Sequence, residues 1–284
     1  MVSFHGCNPP RGWQRTYPHL LTVEAIKGAE GLLFDTPFRT DSPLHNVNLV
    51  FTRNVVGSMD YTPGVIGYER VEHNSTKAHE IAIINIFESG NVNLADSYEN
   101  YMALSVNERN LLSMPTAWES TKFIAGYPNE YVVVARKSGN SWYLSGINGV
   151  STSKNLQIDL EGFLPQGLYS VKGIKDHSSN PQEIVFENID NHRSENSLNF
   201  SMLAYGGFLY RFDLICQDDL SLTNTVSNEL AVEYHGKRIL SNQYIDNSNY
   251  AASYFAEQYI QLNPGFQSKY GNRIKVEIKN CLAD

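Results

Sequence analysis

Between about residue 117 and residue 213 the chain is cut by turn residues into short runs of strand-forming side chains. Few folds accommodate that rhythm. Residues 130–135 (Glu-Tyr-Val-Val-Val-Ala) form one run, Ser138-Gly139-Asn140 a turn, and residues 142–147 the return, which predicts a hairpin. Further runs follow at 156–160, 168–174, 183–187 and 208–214. Short strands so spaced predict an antiparallel β-sandwich.

The flanking regions read differently. Residues 1–116 mix short apolar runs with helical patterns, an α/β layout in which chemistry collects at strand ends. Val2 to Phe4 reads as the end of a buried strand. Thr22 is placed to cap a helix running to Glu30, with Glu24 in its first turn. Residues 48–56 are apolar and β-branched, and a loop follows at 60–64. Residues 79–87 fit a helix or a buried strand equally well. From 214 onward, residues 217–221 read as a linker. The segment 259–278 then reads strand, turn, turn, strand, with Ile274, Val276 and Ile278 predicted to face a core. This last pattern resembles the small stacked-strand modules near the C-termini of surface and secreted Bacteroidetes proteins. The Tyr-rich stretch from Tyr244 to Tyr259 reads as sheet surface and core. The expected organisation is therefore α/β plus all-β, in regions 1–116, 117–213 and 214–284.

A net charge of −8 argues against nucleic acid or an anionic membrane as partner. No apolar run is long enough to span a bilayer, and the N-terminus lacks the features of a signal peptide. Cys7, Cys216 and Cys281 show no metal-ligand spacing and allow one disulfide at most.

The densest chemistry lies in residues 4–30, where a loop studded with Pro and Gly carries His5, Arg11, Arg15, Trp13, Tyr17, Glu24 and Glu30. Such a loop can aim several polar groups at one sugar. Its blocks Phe4-His5-Gly6, Pro10-Arg11-Gly12, Arg15-Thr16-Tyr17-Pro18-His19-Leu20 and Glu24-Ala25-Ile26-Lys27-Gly28-Ala29-Glu30 resemble glycoside hydrolase family 97. His19 stands where the family has Asn. Residues 51–63, 94–97, 130–136 with Trp142-Tyr143, and 205–208 extend the resemblance in order to about residue 213.

The resemblance implies the C-terminal part of a (β/α)8 barrel followed by a β-domain, and a calcium-dependent α-glycosidase acting on an oligosaccharide or glycoside. In one group of the family a Glu follows the His of the first motif as general base. In the retaining, α-galactosidase-like group that position is Gly, as Gly6 is here. Carried over residue by residue, Glu30 is the general acid/base and a calcium ligand. Glu24 is a second ligand, and His5, Arg15 and Tyr17 bind substrate. Residues six apart on a regular helix point about 240° apart, so Glu24 and Glu30 can share a site only if one leaves the helix. The plainer alternatives stay open. Glu24 can be a first-turn helix carboxylate, Glu30 a solvated one and His5 a core histidine. Arg15 and Tyr17 can pin the loop, Asp60 can order its own turn, and Glu88 can cap an element end.

A full barrel takes about 250 residues. On this resemblance the early strands, the nucleophilic Asp and the family's N-terminal domain have no counterpart here. The chain is then expected to be inactive alone, completed only by the missing N-terminal half of the enzyme, with exposed strand edges and apolar faces. A periplasmic, secreted or cell-surface location in a Bacteroidetes-like bacterium goes with this reading. The competing expectation is a non-enzymatic carbohydrate-binding or cell-surface β-module carrying a relic half barrel.

Overall fold

The computed structural model describes residues 1–69, 71–165, 167–215, 217–226, 231–246 and 251–279. Cys216 and Cys281 lie outside them, and Cys7 is a free thiol. Two compact units are present: residues 1–158, 172–188 and 199–212 form one, and 159–171, 189–198 and 213–284 the other.

In the first unit, β1 (Val2–Phe4) is followed by α1 (Trp13–Thr16), β2 (Leu20–Val23), α2 (Gly31–Phe34), α3 (Thr36–Phe51) and a 3-10 turn at Arg53–Val56. Next come α4 (Lys77–Ile86), α5 (Tyr98–Ala103) and α6 (Val106–Leu112). β1 and β2 pair in parallel. One expectation fails here. Thr22 caps no helix, because Leu20–Val23 continues as a strand that buries Thr22 fully. Most of the apolar, β-branched stretch 48–56 lies in α3 and the 3-10 turn. Val47 and Leu49 fall on the buried side of α3, and that packing outweighs the weak helix propensity of β-branched residues. β1 is a strand, but all three of its residues are exposed, since among the described residues its sheet ends there.

The ambiguous stretch 79–87 is α4. Thr76 caps it by accepting the His79 N–H. Its Ala82, Ile83 and Ile86 pack in one core with α3, while Ala78 and Ile81 pack in another. A helix apolar on every side is what a fully buried helix looks like in sequence, and so does a buried strand.

The short strands are β3 (Ser120–Tyr127), β4 (Tyr131–Ser138), β5 (Ser141–Asn148), β6 (Lys154–Ile158), β7 (Leu168–Asp176), β8 (Ile184–Arg193), β9 (Leu198–Met202) and β10 (Gly207–Ile215). β3, β4 and β5 run antiparallel within a six-stranded sheet ordered β3-β4-β5-β10-β7-β8, and β6 pairs with β9. β3 and β9 escape the sequence reading. Residue 116 does not bound a compact unit, because Val132, Val134 and Ile147 of β4 and β5 share one core with α3 and α4.

Within the second unit, β11 (Gln217–Leu222), β13 (Ala231–Ser241), β15 (Ala251–Leu262) and β17 (Arg273–Ile278) form one parallel sheet. β12 (Thr225–Val226), β14 (Tyr244–Ile245) and β16 (Gln267–Ser268) form a second. Each of the first three coils gives one strand to each sheet, and β17 adds a fourth strand to the larger one, so the segment is a parallel stack. Residues 217–222 are thus a strand and not a linker. Tyr234 stacks on Tyr254 at 5.2 Å between ring centroids. The fully buried Gln243 amide donates to Tyr234 Oη and accepts from Tyr254 Oη. Val276 and Ile278, expected to face a core, are exposed, because among the described residues β17 is the outermost strand of its sheet.

Two outcomes follow. Gln243→Ala removes one hydrogen bond from each of two buried tyrosine hydroxyls and should cost about 2–3 kcal/mol, read by urea unfolding of the second unit. Glu80, fully buried in the first turn of α4, accepts from Ser75 Oγ and Val65 N–H. Burial pushes its pKa from 4.5 up to about 7, against those hydrogen bonds. Between these pH values the unfolded chain ionises and the folded one does not. Glu80 therefore makes stability fall as pH rises from 4.5 to 7, by about 1.4 kcal/mol per pH unit at most. Denaturant midpoints of Glu80→Gln across this range should show that slope removed.

Candidate active site

His5 follows β1 and Glu24 follows β2. Phe4 and Val23 are register partners in the parallel pair, and Glu24 N–H donates to Phe4 C=O at 2.8 Å. The two functional residues thus leave the same C-terminal strand end side by side, the position at which barrel chemistry is built. Gly6, at φ 59, occupies the left-handed region that glycine tolerates, and its N–H donates to Glu24 Oε2. After Glu24 the chain turns sharply through Ala25 at φ 46. It returns so that Glu30, immediately before α2, meets His5. Glu24 and Glu30 therefore share no helix, which resolves the 240° conflict.

His5 Nε2 lies 3.1 Å from Glu30 Oε1 and 3.6 Å from Glu24 Oε1, and its Nδ1 lies 3.5 Å from Asp60 Oδ2. Glu24 and Asp60 are buried, whereas the Glu30 side chain is 51% exposed and that of His5 47%. Burial opposes the imidazolium. The Glu30 hydrogen bond and the charges of Glu24 and Glu30, with Asp60 adding to them, outweigh it and hold the His5 pKa above its ordinary value.

Two contacts hold the carboxylates in place. Arg53, itself buried, donates to the carbonyls of Val23, Gly57 and Ser58, tying the end of β2 to the loop that carries Asp60. Ala29 N–H donates to Tyr61 C=O at 2.9 Å. Gly28 permits that approach, since a Cβ there would sit 2.9 Å from the same oxygen.

A cation fits this group. Ligand atoms of His5, Glu24 and Glu30 lie within 4.8 Å of one another. Three carboxylates surround one imidazole, and the buried Asp60 Oδ1 has no hydrogen-bond partner. The oxygen-rich set suits a hard cation such as calcium better than a thiophilic metal.

Arg15 and Tyr17 are not brought to this cluster. Both are exposed on and just after α1, and neither forms a hydrogen bond or ion pair with His5, Glu24, Glu30 or Asp60. The sequence reading weighed Asp60 and preferred a turn role for it, and it did not single out Arg53. Asp60 precedes a Thr-Pro-Gly turn and so reads as a turn-former, yet its Oδ2 faces His5. Glu88, read as an end cap, pairs with Arg136 at 3.1 Å, and its backbone N–H and C=O both bond the Asn54 side chain.

Residues 117–213 match the family model described as "Glycosyl-hydrolase 97 C-terminal, oligomerisation". This match, with the relatives that follow, supports a protein of glycoside hydrolase family 97. A probable retaining alpha-galactosidase of Streptomyces bingchenggensis is 39% identical over 146 residues, 51% of this chain and 22% of that relative. A retaining alpha-galactosidase of Bacteroides thetaiotaomicron is 30% identical over 186 residues, 62% of this chain and 28% of the relative. The chain thus spans about a quarter of the length of these family 97 relatives. A crystal structure of a beta-arabinopyranosidase superposes with TM-score 0.67 at 27% identity, covering 74% of this chain and 34% of that one.

Arg53→Lys keeps the charge but loses the planar fork that reaches three carbonyls. It should cost about 2 kcal/mol in urea unfolding and broaden the backbone amide signals of residues 24 and 60.

Proposed function

We propose that the chain carries the acid/base and cation-binding side of a retaining, α-galactosidase-like site that acts on terminal α-linked sugars. One observation carries the reading. Glu24 and Glu30 converge on His5 at the C-terminal end of a parallel strand pair, with glycine at position 6. Glu30 is the general acid/base: half exposed, it can reach both a glycosidic oxygen and water. His5 orients a sugar hydroxyl. Gly6 offers no carboxylate to activate water, which supports the retaining group over the inverting one. Glu24 and Glu30, with the Asp60 carboxylate beside them, would hold a calcium ion, whose charge would fix these carboxylates and polarise bound sugar oxygens.

Retention needs a second, nucleophilic carboxyl about 5–5.5 Å from the acid/base. On this reading it comes from an earlier barrel strand, and residues 1–116 are the later part of that barrel, preceding a β-sandwich over 117–213 and a β-rich module over 214–284. The exposed apolar side chains of β1, Phe34, Val55 and Val56 support further barrel elements packing there. The names of the relatives support a galactoside as the sugar. The stacked C-terminal coils, like the modules they resemble, support a location at the cell surface or in the periplasm.

Calorimetric titration with calcium should show one site, lost in Glu24→Gln and weakened about tenfold in Glu30→Gln, matching one lost charged ligand. With p-nitrophenyl α-galactoside, calcium and a protein that also carries the nucleophile, Glu30→Gln should lower turnover by about a hundredfold or more. Turnover unchanged by that substitution would disprove the acid/base role, and absence of calcium binding would disprove the cation site.

A further inference from the structure

We propose that β17 is a self-pairing edge, which takes the β17 of a second copy of this chain, antiparallel, about a two-fold axis at Val276. Side chains of successive coils stand in columns inside the stack. Tyr234, Tyr254 and Val276 are register partners in one, and Gly236, Ala256 and Ile278 in the next. Tyr234, Tyr254 and Ala256 are buried, whereas Val276 is 48% exposed and Ile278 55%. Among the described residues β17 is outermost, so the columns end there on uncovered apolar groups. A stacked-coil protein ordinarily closes such an end with a polar coil. At the other edge of the sheet, Leu222 of β11 is buried.

The backbone of β17 fixes which residues can pair outward. Lys279 N–H donates to Ala256 C=O of β15. Backbone groups alternate in direction along a strand, so those of Lys275 and Glu277 also turn to β15. Those of Ile274, Val276 and Ile278 turn to the open edge. An antiparallel partner must therefore set these three residues against its own three. Centred on Val276, the two-fold pairs Val276 with Val276 and Ile274 with Ile278 twice. All outward groups are then hydrogen-bonded and the apolar columns of the two copies become continuous.

Charge selects that register. Lysine on an exposed edge ordinarily resists pairing. Here Lys275 and Glu277, which form an ion pair at 2.7 Å within one chain, fall opposite each other across the axis in both directions. Such opposed pairs stabilise an antiparallel ladder, and like charges directly opposite destabilise it. A centre at residue 275 or 277 would set Lys275 or Glu277 against itself. A centre between two residues would face outward groups with inward-turned ones. The like pair Arg273 and Lys279 meets only at the rim, where salt screens it. The segment Arg-Ile-Lys-Val-Glu-Ile-Lys is thus close to self-complementary when read in both directions. The resulting contact is isologous and closes at two copies.

One strand pair is a small interface, below the roughly 1,200 Å² of stable complexes, so association at about 10–100 µM is expected. Sedimentation velocity of the full chain from about 1 to 300 µM should show a reversible monomer–dimer step. Val276→Lys should weaken it by at least about tenfold, since it places a charge on the axis. Lys275→Glu and Glu277→Lys each set like charges opposite one another twice, and each should weaken it by at least about tenfold. Mixed in equal amounts, these two variants should form a heterodimer as tight as the wild type, because every facing pair is again opposite in sign. Circular dichroism checks that each variant is folded, and should Val276→Lys fail to fold, the charge variants decide alone. A wild type without the step, a step that Val276→Lys leaves in place, or a mixture no tighter than its components overturns the proposal. Growth beyond the dimer that Val276→Lys removes would also overturn it, by showing head-to-tail stacking of β17 on β11.

Discussion

The candidate site depends on one buried guanidinium. Arg53 reaches the carbonyl before Glu24 and two carbonyls ahead of Asp60, segments more than thirty residues apart in sequence. Burial lowers its pKa, partly offset by the nearby Cys7, and its partners are carbonyl dipoles. A planar fork that satisfies several carbonyls at once confers geometry as much as energy. Its neighbour Asn54 clamps both backbone groups of Glu88. The pair Arg53-Asn54 therefore joins the end of β2, the Asp60 loop and the exit of α4. The resemblance covers this block, yet nothing in the local pattern distinguishes such a clamp from a surface turn.

Glycines supply the complementary requirement, which is close approach. Gly28 lets the backbone before Glu30 pass against Tyr61 C=O, and Gly6 takes a left-handed conformation that presents its N–H to Glu24. A side chain at either position would move a carboxylate by moving the backbone that carries it. Glycine in place of a carboxylate at position 6 removes a group that could activate water, and it eases the left-handed conformation that turns the backbone N–H toward Glu24.

How much of this was readable depended on the range of the interactions. The hairpin at 131–148 was legible because its strands and turn are contiguous, and β-branched runs flank a Gly-containing turn. β3 was missed because half-buried Ser120–Tyr127 has no clean alternation. The strand–turn units of 259–278 were seen, but the parallel stack was not. Its signal was a weak internal repeat, Leu220-Ser221-Leu222-Thr223-Asn224 against Ile239-Leu240-Ser241-Asn242-Gln243 and Ile260-Gln261-Leu262-Asn263-Pro264. Those segments align in register through Leu220, Ile239 and Ile260. At the site, Glu24, Glu30 and His5 were found through resemblance. Asp60 was passed over because a carboxylate before a Thr-Pro-Gly turn has a sufficient local explanation. Arg15 and Tyr17 came from the same resemblance, and the structure leaves them exposed on and just after α1.

Burial divides the labour among the three carboxylates. Glu24 and Asp60 are closed off from water and held by backbone donors or by the loop around them, so each can serve only what already faces it, a cation or the His5 ring. Glu30 sits at the lip of the same cluster, half in solvent, before a helix too short to hold it by its own dipole. A group that must give a proton to a leaving sugar and later take one from water has to be reachable by both. A group that fixes charge or orientation works best when it is reachable by neither. On the reading proposed above, the mobile role falls to Glu30 and the fixed roles to Glu24 and Asp60, and the His5 ring lies beside all three carboxylates.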